Sequence, residues 1–187
     1  MNFDLADFER QLAAIHTDFE SLFRDLTDEE ANTSPAPGIW SMSEAMGHLD
    51  ISADAFVAAW DVALEEGHRR GLTQPASPAY PFLLRGFLWY IEPPYRFKVR
   101  TGAAFVPLSG SSVESMRDGI ESRHAKVLDR ARRAVTMDLG AIRVQSPFAK
   151  QVKYPIGYSF DLFAAHERRH MWQARRLREF LRLGQKR

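Results

Sequence analysis

The sequence predicts an all-α protein built as a four-helix bundle. Four long segments carry apolar residues at steps of three and four, and polar or Pro-rich stretches separate them. One of these connections, between the second and third helices, is long enough to cross the bundle. At 187 residues we expect a single domain over residues 1–187.

The first helix is predicted over about residues 5–26, and the second over about 41–66. The apolar stripe of the first helix runs through Phe8, Leu12, Ile15, Phe19, Leu22, Phe23 and Leu26. Ser41-Met42-Ser43-Glu44 has the pattern of a capping box, which marks the start of the second helix. Gly67 is the expected stop.

An insertion of about residues 68–110 follows and is rich in proline and aromatic residues. It holds Pro75, Pro78, Pro81, Pro93, Pro94 and Pro107, and Tyr80, Phe82, Phe87, Trp89, Tyr90, Tyr95, Phe97 and Phe105. So many aromatic residues argue against disorder, so we expect an ordered excursion packed over one end of the fold. A short helix is predicted from Pro81 to Ile91, because proline suits a first helical position.

The third helix is predicted over about 111–138 and the fourth over about 159–183. Ser111-Ser112-Val113-Glu114 has the pattern of a second capping box. A loop with two prolines, residues 140–157, separates the two helices, and no Pro or Gly interrupts the chain between Ser159 and Leu183.

Two histidines interrupt the apolar stripe of the fourth helix. His166 and His170 lie one turn apart and share a face with Leu162, Phe163 and Leu177. Burying them without partners would cost a few kcal/mol, and one divalent metal would satisfy both. The alternative is a pair of core histidines bonded to carbonyl or carboxylate groups.

A third ligand from another helix would complete the site, and His48 is the candidate. It lies near the start of the second helix, where small residues (Ala45, Ser52, Ala59) leave room. Three neutral imidazoles leave open coordination positions for water or substrate, as in catalytic metal sites. Such ligation suits zinc, nickel, copper or iron about equally. The chain has no cysteine, which excludes thiolate catalysis and Cys-ligated zinc.

Two further residues are candidates for handling protons or positioning water. His124 falls in the stripe of the third helix, and Gln173 shares the face of the histidine pair. The alternatives are a hydrogen-bonded core residue for His124 and a polar residue at the bundle end for Gln173. No substrate-binding residue can be identified from the sequence.

Charge and hydropathy set the expected surroundings. The net charge of +1 gives no argument for nucleic acid or an anionic membrane, and the Arg-rich C-terminal segment reads as a solvated face near a helix C-terminus. No signal-peptide pattern and no membrane-spanning apolar run occur. We therefore expect a cytoplasmic protein with a small-molecule substrate and neither nucleic-acid nor membrane partner. A homodimer is allowed.

The chain resembles the DinB-like superfamily, in particular its branch with a long Pro-rich insertion. The matching residues are 40–49 (Trp-Ser-Met-Ser-Glu-Ala-Met-Gly-His-Leu), 92–100 and 166–173 (His-Glu-Arg-Arg-His-Met-Trp-Gln). The resemblance implies an up-and-down four-helix bundle with a long Pro/aromatic-rich crossover between helices 2 and 3. It also implies a divalent metal, often nickel or zinc, on His48, His166 and His170.

Characterised members of that superfamily are thiol-dependent enzymes, namely S-transferases that use bacillithiol, mycothiol or glutathione, and a mycothiol-dependent isomerase. The resemblance therefore implies a metal-dependent thiol S-transferase that acts on a small electrophile. One alternative is a non-catalytic bundle that binds a ligand or partner around a structural metal. A metal-assisted hydrolase is the third option, because an open His site can also activate water.

Overall fold

Helices dominate the computed structural model, which describes residues 2–94, 101–107 and 109–184. Its helices are α1 (Leu5–Phe23), α2 (Asp28–Asn32), α3 (Met42–Arg69), α4 (Phe82–Ile91), α5 (Val113–Ala134) and α6 (Ile156–Gly184). A 3-10 turn spans Ala103–Phe105, and the strands β1 (Arg143–Gln145) and β2 (Lys153–Pro155) pair antiparallel with Val144 opposite Tyr154. The predicted all-α bundle is confirmed, with α1, α3, α5 and α6 as its four long helices.

Aromatic packing fixes α3 against α6, the two helices that carry the three histidines. The Trp60 and Phe160 rings lie 4.5 Å apart, and both side chains are fully buried. The indole nitrogen of Trp60 donates to the Ser159 hydroxyl at 2.7 Å, so its polar atom is satisfied inside the core. α3 also packs against α5, and α1 against α6.

One of the two predicted capping boxes forms as expected. The Ser41 hydroxyl accepts from the Glu44 amide at 3.1 Å, and the Glu44 carboxylate accepts from the Ser41 amide at 2.8 Å. At α5 the prediction was wrong by one residue, because the N-cap is Ser112, whose hydroxyl accepts from the Ser115 amide at 3.1 Å.

Several helix ends differ from the prediction. α1 ends at Phe23, before Asp25 adopts a left-handed conformation with φ of 57°, and α5 ends at Ala134. α3 continues through Gly67 to Arg69. Gly67 is therefore not a stop; a Cβ there would meet the Ile142 side chain at 2.9 Å, so glycine permits close packing.

The short helix α2 and the β1–β2 pair were not predicted. Thr27 and Glu30 form a capping box at the start of α2, which lies in the expected connection between the first two long helices. The expected loop over residues 140–157 contains the β1–β2 pair, and α6 begins directly after β2. The sequence signal for β1 and β2 is weak because each strand has only three residues.

The insertion is ordered where it is described. The predicted helix over 81–91 is confirmed as α4, which packs against α6. Phe105, in the 3-10 turn, lies against His48 with ring centroids 6.5 Å apart. Tyr95, Phe97 and the rest of residues 95–100 lie outside the described residues. In the described part of the chain, no helix is both long and apolar enough to cross a membrane.

Candidate metal centre

Three histidines from two helices converge on one point. The Nε2 atom of His166 lies 3.3 Å from Nε2 of His48 and 3.2 Å from Nε2 of His170. The three candidate ligand atoms all lie within 4.8 Å of one another. His48 and His170 are buried, at 5% and 8% exposure, whereas His166 is partly exposed. His166 is therefore the most accessible member of a largely buried cluster.

The spacing of these nitrogens fits a divalent metal. Bonds of about 2.0–2.1 Å at tetrahedral angles separate two ligand nitrogens by about 3.3–3.4 Å, close to the two measured separations. Imidazole nitrogens are also common ligands of zinc and nickel. The three-His group predicted from the sequence can thus hold a metal ion.

A backbone contact determines the tautomer of His48. Its Nδ1 lies 2.8 Å from the carbonyl oxygen of Phe105. A carbonyl only accepts hydrogen bonds, so Nδ1 must carry the proton and Nε2 must present a lone pair to the cluster. This is the outer hydrogen bond that orients metal-bound histidines in proteins.

The surroundings keep all three imidazoles neutral. Burial lowers the pKa of His166 to about 3, and the neighbouring His48 adds to this effect. Burial likewise holds the pKa of His170 well below its ordinary value, although Gln173 opposes the shift. The pKa of His48 is also lowered by burial, against the effect of the Phe105 carbonyl. Neutral imidazole is the form that binds a metal.

Aromatic side chains surround the cluster. The Trp40 ring lies 5.0 Å from that of His48 and 6.3 Å from that of His170. Phe148 lies 5.7 Å from His166 and 4.8 Å from Phe105. Phe148 is 44% exposed, so it lies at the protein surface beside His166. The centre therefore faces an apolar rim.

The structure places His124 at a different polar cluster. Its Nε2 lies 2.6 Å from the Glu167 carboxylate, whose other oxygen accepts from Nε of Arg123 at 2.6 Å. Arg123 also pairs with Asp50. Gln173 lies beside His170, and the Ser52 hydroxyl is 3.5 Å from Nε2 of His48. Of the two candidates for proton handling, only Gln173 thus adjoins the histidines.

Glu167 and Arg123 were not predicted from the sequence as site residues. Both are buried, at 0% and 3% exposure. Burial alone would raise the pKa of Glu167, but Arg123 and His124 outweigh it and lower the pKa to about 2. A signal was present, because Glu167 lies on a second apolar stripe of α6 formed by Phe160, Ala164, Met171 and Ala174.

Comparison with known proteins identifies the family of this chain. No curated protein sequence and no solved structure matches this chain. The sequence model of the DinB superfamily matches residues 11–174, which include all three histidines and most of the bundle. The chain therefore belongs to the DinB superfamily.

Proposed function

We propose that this protein is a metal-dependent thiol S-transferase that acts on a small, apolar electrophile. The observation that carries the proposal is the meeting of three neutral imidazoles, in which Nε2 of His166 lies 3.2–3.3 Å from Nε2 of each of the other two. Membership of the DinB superfamily supports it, because the resemblance described above implies thiol-dependent chemistry at such a site.

The reaction joins a low-molecular-weight thiol to an electrophilic carbon. A bound divalent metal, nickel or zinc, would lower the pKa of a thiol reaching its open positions and so supply a thiolate at neutral pH. The new S–C bond forms as the bond to the leaving group breaks, and the leaving group departs with that electron pair. The thiol proton passes to solvent, so no redox partner is needed.

The residues of this chain supply binding and orientation. His48, His166 and His170 would hold the metal, and the Phe105 carbonyl orients the His48 ring. Trp40 and Phe148 offer apolar surface beside the histidines. Such walls bind flat or aliphatic groups and exclude water, which strengthens electrostatic interactions at the site. This surface supports an apolar electrophile over a charged one.

The test begins with the purified chain, its nickel and zinc content and its consumption of thiols with monobromobimane as electrophile. We expect metal near one equivalent and faster loss of bacillithiol, mycothiol or glutathione than in buffer. His170→Ala should lose both, whereas His68→Ala, at an exposed histidine on α3, should keep both. A metal-free chain whose stability His170→Ala does not reduce would refute the proposal.

A second candidate is a non-catalytic bundle that binds a ligand around a structural metal. It is favoured by the location of His124, which is engaged with Glu167 and therefore does not serve as an acid or base at the three histidines. Stabilisation by nickel or zinc without turnover of any thiol would favour this candidate. Hydrolysis of an ester panel without thiol would instead indicate a metal-assisted hydrolase.

A further inference from the structure

The helix of the insertion, α4, presents an apolar face to solvent. Phe82 and Leu83 are each 82% exposed, Trp89 is 61% exposed and Phe87 is 46% exposed. At 100° per residue these side chains and Gly86 share one side of the helix, which we call the α4 face. The opposite side includes the buried Leu88, and α4 packs against α6.

The α4 face is large for an exposed apolar surface. With side chains of this size, the exposed fractions correspond to roughly 500 Å². The largest apolar patch of an ordinary monomer covers about 300–600 Å² and is often functional. A stable interface buries about 800 Å² on each partner, including a polar rim. The α4 face therefore provides enough apolar area for the core of such an interface.

Gly86 lies in the middle of this face. A Cβ at Gly86 would meet nothing within 4 Å in the described structure, so no contact with the described residues requires glycine there. Glycine inside a helix costs about 1 kcal/mol relative to alanine. A small residue in an apolar helix face allows a second helix to approach closely. Close packing of this kind accounts for the glycine at position 86.

We propose that the α4 face is a dimer interface, on which α4 of a second copy of this chain packs antiparallel about a twofold axis near Gly86. A twofold interface uses the same patch on both subunits, so the partner face has the size and apolar character that this face needs. A membrane surface fits less well, because Arg85, exposed at the edge of the face, is the one basic residue of α4, and a single cation gives little attraction to lipid headgroups.

The mass in solution tests the proposal. Sedimentation velocity over a dilution series should give about twice the 21.4 kDa of the chain. Leu83→Glu would bury a carboxylate at the interface and should raise the dimer dissociation constant by about 100-fold or more. Val62→Glu is the matched control, since Val62 is 70% exposed on α3, away from the face. Circular dichroism checks that both variants fold.

Cross-linking tests the position of the axis. The chain has no cysteine, so Gly86→Cys adds a single thiol, and a disulfide forms only where two Cα atoms come within about 7 Å. Oxidised Gly86→Cys should run as a covalent dimer, and Val62→Cys should not.

Each of three results would overturn the proposal. The first is a monomeric wild type, whether or not it sediments with phosphatidylglycerol vesicles. The second is a dimer that persists in Leu83→Glu, and the third is Gly86→Cys that cross-links no more than Val62→Cys.

Discussion

The Nδ1 atom of His48 lies 2.8 Å from the carbonyl oxygen of Phe105, which is 57 residues later in the chain. This contact ties the start of α3 to the 3-10 turn of the insertion. Its consequence is chemical, because a proton held on Nδ1 leaves Nε2 free to bind a metal. The insertion thus takes part in the candidate metal centre by fixing one ligand as well as by bordering it.

Metal binding should stabilise the folded chain through all three histidines. At a free nickel or zinc concentration of 100 times the dissociation constant, linkage predicts a gain of about 2.7 kcal/mol. His166→Ala removes the ligand shared by both short nitrogen contacts and should abolish the gain. Thermal unfolding with metal and with chelator measures it, and His68→Ala should behave as wild type. An equal gain in His166→Ala would show that the metal binds elsewhere.

Helical periodicity and capping patterns predicted those features of the fold that depend on residues within a single helix. The α3 start at Ser41 followed from a local capping box, and His166 and His170 were found because they interrupt an apolar stripe. Gly67 could not be assigned correctly, because its role depends on Ile142, 75 positions away. The N-cap of α5 was predicted one residue too early, because Ser111 and Ser112 offer equivalent hydroxyls and the sequence does not distinguish between them.

The Arg123–Glu167 pair was not predicted, because only one apolar stripe of α6 was considered. α6 buries two sides, one with the histidines and one with Glu167, and only the side with the histidines was predicted from the sequence. Only the placement of α5 beside α6 reveals that Arg123 and His124 meet this carboxylate. Partners that lie on different helices leave no spacing signature in a single sequence.

Removing the charge of Glu167 should destabilise the protein strongly. Glu167→Gln keeps the shape but leaves the buried guanidinium of Arg123 with Asp50 as its remaining carboxylate partner. Breaking a buried ion pair typically costs about 3–5 kcal/mol. Urea unfolding should show a loss near the lower value, because Asp50 still compensates part of the charge.

The surface pair of Arg69 and Glu66 provides the control for that experiment. Both side chains are well exposed, at 73% and 46%, so Glu66→Gln should cost less than about 1 kcal/mol. Similar losses in the two variants would mean that burial adds nothing to the Arg123–Glu167 interaction.

Asp161 should make stability fall as the pH rises. Burial raises the pKa of its carboxyl to about 6, although the Tyr80 hydroxyl, which donates to it at 2.7 Å, and Arg168 both oppose this. The ordinary value is 3.8, so between these values the folded state binds the proton more tightly than the unfolded state. The protonated form therefore stabilises the fold below about pH 4, and this contribution is lost as the pH rises through about 6.

Asp161→Asn isolates that effect. The amide carries no charge and still accepts from Tyr80, so at pH 8 the variant should be more stable than wild type by on the order of 1 kcal/mol, with solvent screening allowed for. The difference should shrink towards pH 4. Urea unfolding at several pH values measures it, with the exposed Asp54→Asn as control. A variant that is less stable than wild type at pH 8 would contradict the assignment.

Gly67 and Gly86 should respond in opposite ways to alanine. Both lie inside helices, where alanine is favoured by about 1 kcal/mol. At Gly67 the new methyl group would meet the buried Ile142 and Met137 side chains at 2.9 Å, and overpacking of this kind costs about 1–3 kcal/mol. At Gly86 it meets none of the described atoms within 4 Å. Gly67→Ala should thus lose about 1 kcal/mol and Gly86→Ala should gain up to about 1 kcal/mol.

Both alanine variants are best compared in the Leu83→Glu background, in which the proposed α4 contact between two chains is removed and unfolding reports on one chain. Urea midpoints at unchanged slope give the two free-energy differences. If Gly67→Ala were as stabilising as Gly86→Ala, Ile142 and Met137 would have to move aside at no cost, and Gly67 would then not be required by the close packing of α3 against the segment before β1.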